Sequence, residues 1–188
     1  FFFNIDFGFL GILPRSYFGI IGIFTSPLVH GNLNHISSNS VPALFLGTIL
    51  YFFYPNIANR IFLQCYFFTN ILVWFFGRNF LHIGASGLIY ALAFFLISIG
   101  FFEGKFRTLI ISITVLAVYG SLVYTVFDFN QAVSWESHLF GALVGVTSAY
   151  SIKKQSNGAG NWINELPLSG SIGVNDVFVI IHFEADDT

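Results

Sequence analysis

The chain has 188 residues, 55% of them hydrophobic and 9% charged, with 26 phenylalanines and a formal net charge of −2. An ordinary soluble domain carries roughly 25% charged residues, so this chain lacks the polar atoms to clothe a water-facing surface. Its seven Lys and Arg are scattered along the whole length, which excludes the dense basic footprint that nucleic-acid binding needs.

The elements follow in chain order. A membrane-spanning helix needs about 20 mostly apolar residues to cross a hydrocarbon core of about 30 Å. Residues 1–13 are apolar but interrupted by Asp6 and two glycines, and Pro14 and Arg15 end them. They are read as the tail of a first spanning helix whose earlier turns are missing. The absence of methionine and the Phe at position 1 point the same way. Residues 16–30 are uncharged but broken by Gly19, Gly22 and Pro27, which predicts a loop at the membrane interface. Apolar, uncharged stretches then recur at 36–54, 61–77, 79–102, 108–127 and 137–152. These predict five spanning helices in an all-α polytopic bundle. The lone cysteine, Cys65, lies inside the second stretch and can form neither an intrachain disulfide nor a Cys-based zinc site.

The charges between the stretches orient the bundle. Arg60, Lys105, Arg107, Lys153 and Lys154 fall on one side when helices alternate in direction, and Arg15, Arg78, Asp128 and Glu136 fall on the other. The positive-inside rule makes the five-residue side cytoplasmic. Residues 155–188 differ in composition. They hold Gly, Ser and Asn clusters, no basic residue and five acidic ones, and 177–183 read as a short strand. The chain therefore divides into a membrane domain, 1–154, and an acidic tail, 155–188. The tail is either a flexible cytosolic extension or sequence foreign to the natural protein.

Polar side chains at membrane depth cost a few kcal/mol each on insertion scales, which makes them functional candidates. Three clusters stand out. In the first, His35 and Asn39 are four residues apart on one helix face, with His30 about a turn above them. The bland alternative is a polar helix start capped by Asn32 or Asn34. In the second, Gly84-Ala85-Ser86-Gly87 sets a serine where a helix begins, with Tyr90 one turn later. Backbone N–H groups at a helix start lack intrahelical partners and can donate to an anion. Here the alternative is a serine N-cap between packing glycines. In the third, His138 precedes Gly141 and Gly145, whose spacing lets another helix approach on the same stripe. The expected neighbour is the helix that starts at Ser86. A histidine within reach of a serine hydroxyl can take its proton, the minimal equipment for acyl transfer. Glu136, two residues from His138, points to nearly the opposite face, so a Ser–His dyad fits better than a triad.

Together, His30-x4-His35-x3-Asn39, Gly84-x-Ser86-Gly87 with Tyr90, and His138-x2-Gly141-x3-Gly145 resemble the rhomboid intramembrane serine proteases over about residues 14–154. The resemblance implies a six-helix core, with Ser86 as nucleophile and His138 as general base. It also implies an oxyanion hole formed by His35, Asn39 and the Ser86 N–H. His30 would anchor the loop near the site, Tyr90 would pack on the His138 ring, and Gly87, Gly141 and Gly145 would be packing residues. His82 is read as a residue of the polar mouth between residues 16–30 and 78–85. The implied partners are transmembrane protein substrates and the lipid bilayer, in a bacterial inner membrane with the site opening outward. No metal or organic cofactor is called for. The rival readings are a client-binding relative without proteolytic activity and a metalloprotein using His30, His35 and His138. The five-residue spacing of His30 and His35 differs from the four-residue pair of helix-borne metalloproteases.

Overall fold

A computed structural model describes residues 7–125 and 134–158. It consists of α-helices and short 3-10 turns: α1 (Gly22–Thr25), α2 (Leu33–Phe53), α3 (Pro55–Phe76), α4 (Ser86–Glu103), α5 (Phe106–Tyr119), α6 (Ser121–Thr125) and α7 (Trp135–Gly158). The predicted strand at 177–183, Asp128 and residues 1–6 lie outside the described residues.

Local chemistry explains the helix boundaries. Asn32 caps α2, its side chain accepting the His35 N–H at 2.8 Å. Pro55 opens α3 at a position where a missing N–H costs nothing. Gly104, with φ +66, ends α4 in the left-handed conformation. The stretch predicted at 108–127 breaks at Gly120, so α5 stops at Tyr119 and α6 resumes at Ser121. The stretch predicted at 79–102 becomes helical only at Ser86.

One expectation needs correction. Residues 7–13 are no helical tail: Gly8–Leu10 form a 3-10 turn, and Ile12 then pairs with His82 in an isolated antiparallel bridge. The glycines and the backbone acceptors across the bridge compete with a helical ladder, and the bridge wins because Ile12 is buried. By length and composition, α2 and α4 are the helices among the described residues long and apolar enough to cross a membrane. Helix α3 is long enough, but Asn59, Arg60, Gln64 and Asn70 dilute its apolar residues. Helix α5 has only 14 residues.

Helix α4 forms the centre. Phe95, Leu96 and Ile99 have no exposed surface, and they pack with Leu46 and Leu50 of α2, Ile61 and Cys65 of α3, and Val115 of α5. In a bilayer, lipid tails are as apolar as leucine, so close packing and interhelical hydrogen bonds must hold such a bundle together. Ser112 of α5 supplies one. Its buried hydroxyl accepts from Gly100 N–H at 3.1 Å and donates to the Leu96 carbonyl at 2.6 Å. Large apolar side chains such as Val41, Leu44 and Phe52 on α2 and Phe106 and Ile113 on α5 face outward.

One face of α3 holds the N-terminal loop. Tyr66, Asn70 and Trp74 recur every four residues and donate to the carbonyls of Phe24 (2.5 Å), Ile23 (3.0 Å) and Ser16 (3.1 Å). Arg15 Nη1 caps the end of α3 on the Phe75 and Gly77 carbonyls. At the opposite end of the bundle, Arg60 donates to Gln155 at 3.0 Å, Arg107 lies over the Phe53 ring and Lys153 over the Phe102 ring. These contacts gather basic side chains from three separate segments at one end.

Candidate active site

A cavity of about 510 Å³ opens at the end of the bundle where α4 begins. Helix α2 contributes His35, Ser38, Asn39 and Pro42 to its lining, and the α3–α4 connection contributes Phe80, Leu81 and Ile83. Helix α4 adds Ser86, Ile89 and Tyr90, and the other contributors are Leu122, Ser134 and His138. Ser86, His138, His35 and Asn39, drawn from three helices, thus line one space.

Ser86 is the first residue of α4. The cap position is Ala85, with no side-chain hydrogen bond, so Ser86 does not serve as the N-cap. The first intrahelical bond runs from Ile89 N–H to the Ala85 carbonyl at 3.0 Å. The N–H groups of Ser86 and Gly87 therefore stand ahead of the ladder, where a helix start attracts negative charge. Gly84 shapes the approach to this turn. Its φ is +101, and a Cβ there would stand 2.6 Å from His35 Nε2. Only glycine combines that backbone conformation with an imidazole pressed against it.

His138 is 8% exposed and its ring stacks flat on Tyr90, with centroids 4.1 Å apart and planes 5° from parallel. Such a stack fixes the plane of the imidazole. Gly141 and Gly145 set its helix. A Cβ at Gly141 would stand 2.3 Å from the Gly87 carbonyl oxygen, and one at Gly145 would stand 2.3 Å from that of Ala91. Helices α7 and α4 therefore touch backbone to backbone beside Ser86.

Asn39 is buried and donates from Nδ2 to the His35 carbonyl at 2.7 Å, which leaves the second amide hydrogen to point elsewhere. His30 sits edge-on to His35 with ring centroids 4.9 Å apart. Burial, and then His35 beside it, holds the His30 imidazole below the ordinary histidine range, with a Leu28 backbone hydrogen bond pulling the other way. No group of three or more His, Cys, Asp or Glu able to hold a metal ion occurs among the described residues. His30, His35 and His138 thus form no such group.

Glu136 is turned away from His138. It is 2% exposed, and its carboxylate accepts from the Arg78 backbone N–H (3.1 Å), Nε (2.5 Å) and Nη2 (3.2 Å). The Arg78 guanidinium also lies over the Trp135 ring. His82 departs from its reading as a residue of the mouth. It is 2% exposed and bonded through both ring nitrogens, to Ser134 Oγ at 2.5 Å and to the Arg78 carbonyl at 3.1 Å. The local pattern around His82 hid this role, because its partner Ser134 is 52 residues away in sequence.

The Rhomboid domain family model matches residues 18–155. Uncharacterized proteins of Mycobacterium bovis and Mycobacterium tuberculosis are each 33% identical over 157 residues, covering 74% of this chain and 62% of their own length. An uncharacterized protein of Mycobacterium leprae is 32% identical over 146 residues, covering 69% of this chain and 55% of its own. The chain thus spans about three fifths of the length of these relatives. No solved structure matches.

Proposed function

This chain belongs to the rhomboid family, and from that premise we propose that it is an intramembrane serine endopeptidase that cuts a peptide bond in or next to a transmembrane segment of another membrane protein. One observation carries the reading. Ser86, His138, His35 and Asn39 line a single cavity at the start of α4.

His138 takes the Ser86 hydroxyl proton as Oγ attacks the scissile carbonyl. The carbonyl oxygen becomes an oxyanion, which receives the Ser86 N–H and side-chain donors from His35 and Asn39. Donors fixed in advance at that point are worth about 10²–10³ in rate each. The tetrahedral intermediate collapses, the C–N bond breaks, and His138 returns the proton to the departing amine. A water molecule entering through the cavity then attacks the acyl–Ser86 ester with His138 again as base, which releases the second product and restores the hydroxyl. The chemistry needs no metal or organic cofactor.

The basic end of the bundle faces the cytoplasm of a bacterial inner membrane, and the cavity opens toward the outer face. The substrate is a single-span protein cut near its outer end, after a small residue. Reconstituting the protein in vesicles with a reporter transmembrane substrate tests the reading. Ser86→Ala is expected to abolish cleavage, and unchanged cleavage would refute the assignment.

A further inference from the structure

The polar groups behind His138 form a chain whose direction is set by chemistry. His82 Nε2 faces the Arg78 carbonyl at 3.1 Å. A carbonyl only accepts, so Nε2 carries the hydrogen. In the neutral imidazole Nδ1 is then an acceptor, and the group facing it at 2.5 Å is Ser134 Oγ, which must donate. Having spent its hydrogen, Ser134 Oγ accepts from Ser137 Oγ, 2.6 Å away. The order therefore runs from the Ser137 hydroxyl to Ser134, from Ser134 to His82, and from His82 to the Arg78 carbonyl. Burial pushes His82 down from its ordinary range, and the nearby Glu136 and Arg78 charges pull in opposite directions. The neutral form this order requires is thus the favoured one.

One end of the chain is tied to the helices that carry Ser86 and His138, and the other to the N-terminal loop. Ser134 is the residue before α7, and its carbonyl accepts from the Ser137 and His138 N–H groups at 3.0 and 3.4 Å. Ser137 lies against Gly87: its carbonyl oxygen would stand 3.3 Å from a Cβ placed there. His82 is held from the other side by its double backbone bridge to Ile12, at 2.9 Å in each direction.

We propose that His82, Ser134 and Ser137 form a positioning unit that locks the first turn of α7 to the α3–α4 connection and so sets where His138 stands relative to Ser86. The proposal rests on the dyad reading above. The residues do not touch the reacting atoms. They act through His138, whose displacement by about 1 Å costs about 10²-fold in rate.

The test measures kcat and KM for the reporter substrate in vesicles, with thermal stability in parallel. His82→Ala is expected to lower kcat by about 10-fold or more, with KM within about twofold. His82→Asn, whose Oδ1 can accept from Ser134 where Nδ1 did, should recover most of kcat. Ser134→Ala deletes only the hydroxyl that joins His82 to Ser137. It should match His82→Ala, and the double variant should be no worse than either single one, because all three break the same chain. Wild-type kcat in His82→Ala would overturn the proposal. So would a rise in KM at unchanged kcat, which makes these residues substrate contacts, or a His82→Asn enzyme as slow as His82→Ala. Ser86→Ala in the same assay keeps the two questions apart: retained cleavage there removes the dyad reading itself, whatever His82 does.

Discussion

Among the contacts of helix α4, those with α5 and with α7 each have a glycine and a serine beside them. At the α5 contact the glycine is Gly100 of α4, and Ser112 of α5 fills the gap. Its hydroxyl both accepts and donates, and it has no exposed surface. At the α7 contact the glycines, Gly141 and Gly145, come from the partner helix and bring its backbone against α4. Ser86 of α4 then lines a cavity alongside His138. The same two residue types thus give a sealed joint at one place and an open site at the other. In an apolar solvent a serine hydroxyl is spent on helix carbonyls unless a helix start and an adjoining space keep it available.

Exchanging the serines breaks that comparison most severely. Ser86→Ala should cost at least about 10⁴ in cleavage rate and leave the melting temperature near wild type. Ser112→Ala should leave the rate per folded molecule unchanged and destabilise by about 1–3 kcal/mol through the buried groups it strands. Equal effects on activity from both would erase the distinction. Next in size are the donors on α2. Asn39→Ala and His35→Ala should each reduce kcat by about 10²–10³, and steady-state kinetics on the reporter substrate would show it.

A smaller effect is expected from the packing itself. A Cβ at Gly141 meets the Gly87 carbonyl oxygen at 2.3 Å, whereas one at Gly47 meets nothing within 4 Å. Gly141→Val should therefore cost about 1–3 kcal/mol of stability and lower activity by moving His138. Gly47→Ala should be neutral or stabilise by up to about 1 kcal/mol. Thermal melts and rates on the two variants check this, and wild-type values for Gly141→Val would mean the helices do not meet as described.

The smallest expected effect is on the pH dependence of stability. His82 is held neutral by burial, with Glu136 and Arg78 facing it. The unfolded chain takes up a proton at this histidine first as pH falls below about 6.5. Stability should accordingly be full above that pH and decline between it and the lowered value of the folded state. His82→Asn should flatten the decline. The residual slope belongs in part to His30, which burial also pushes down.

Much of this was legible in the sequence because it is local. The helices followed from apolar stretches. The pairing of His35 with Asn39 followed from a four-residue spacing, and the α4–α7 approach from two glycines four apart. What escaped was what depends on distant partners. Arg78 and Glu136 are 58 residues apart, and nothing in either neighbourhood announces the other. His82 read as a mouth residue because its flanks are those of a loop, yet both its ring nitrogens are bonded inside the protein. Residues 7–13 read as the end of a helix because they are apolar, a property that a buried bridge strand shares. Ser112 lies in an apolar helix with no motif around it, and only the proximity of Gly100 gives it a role.

The central claim is that the Ser86 hydroxyl is a nucleophile activated by His138. Treating the reconstituted protein with a fluorophosphonate and locating the adduct by mass spectrometry tests it most directly. The account predicts a single covalent adduct on Ser86, formed in parallel with loss of cleavage and absent from the His138→Ala variant. Cleavage that survives the reagent and is lost instead to a metal chelator would contradict it.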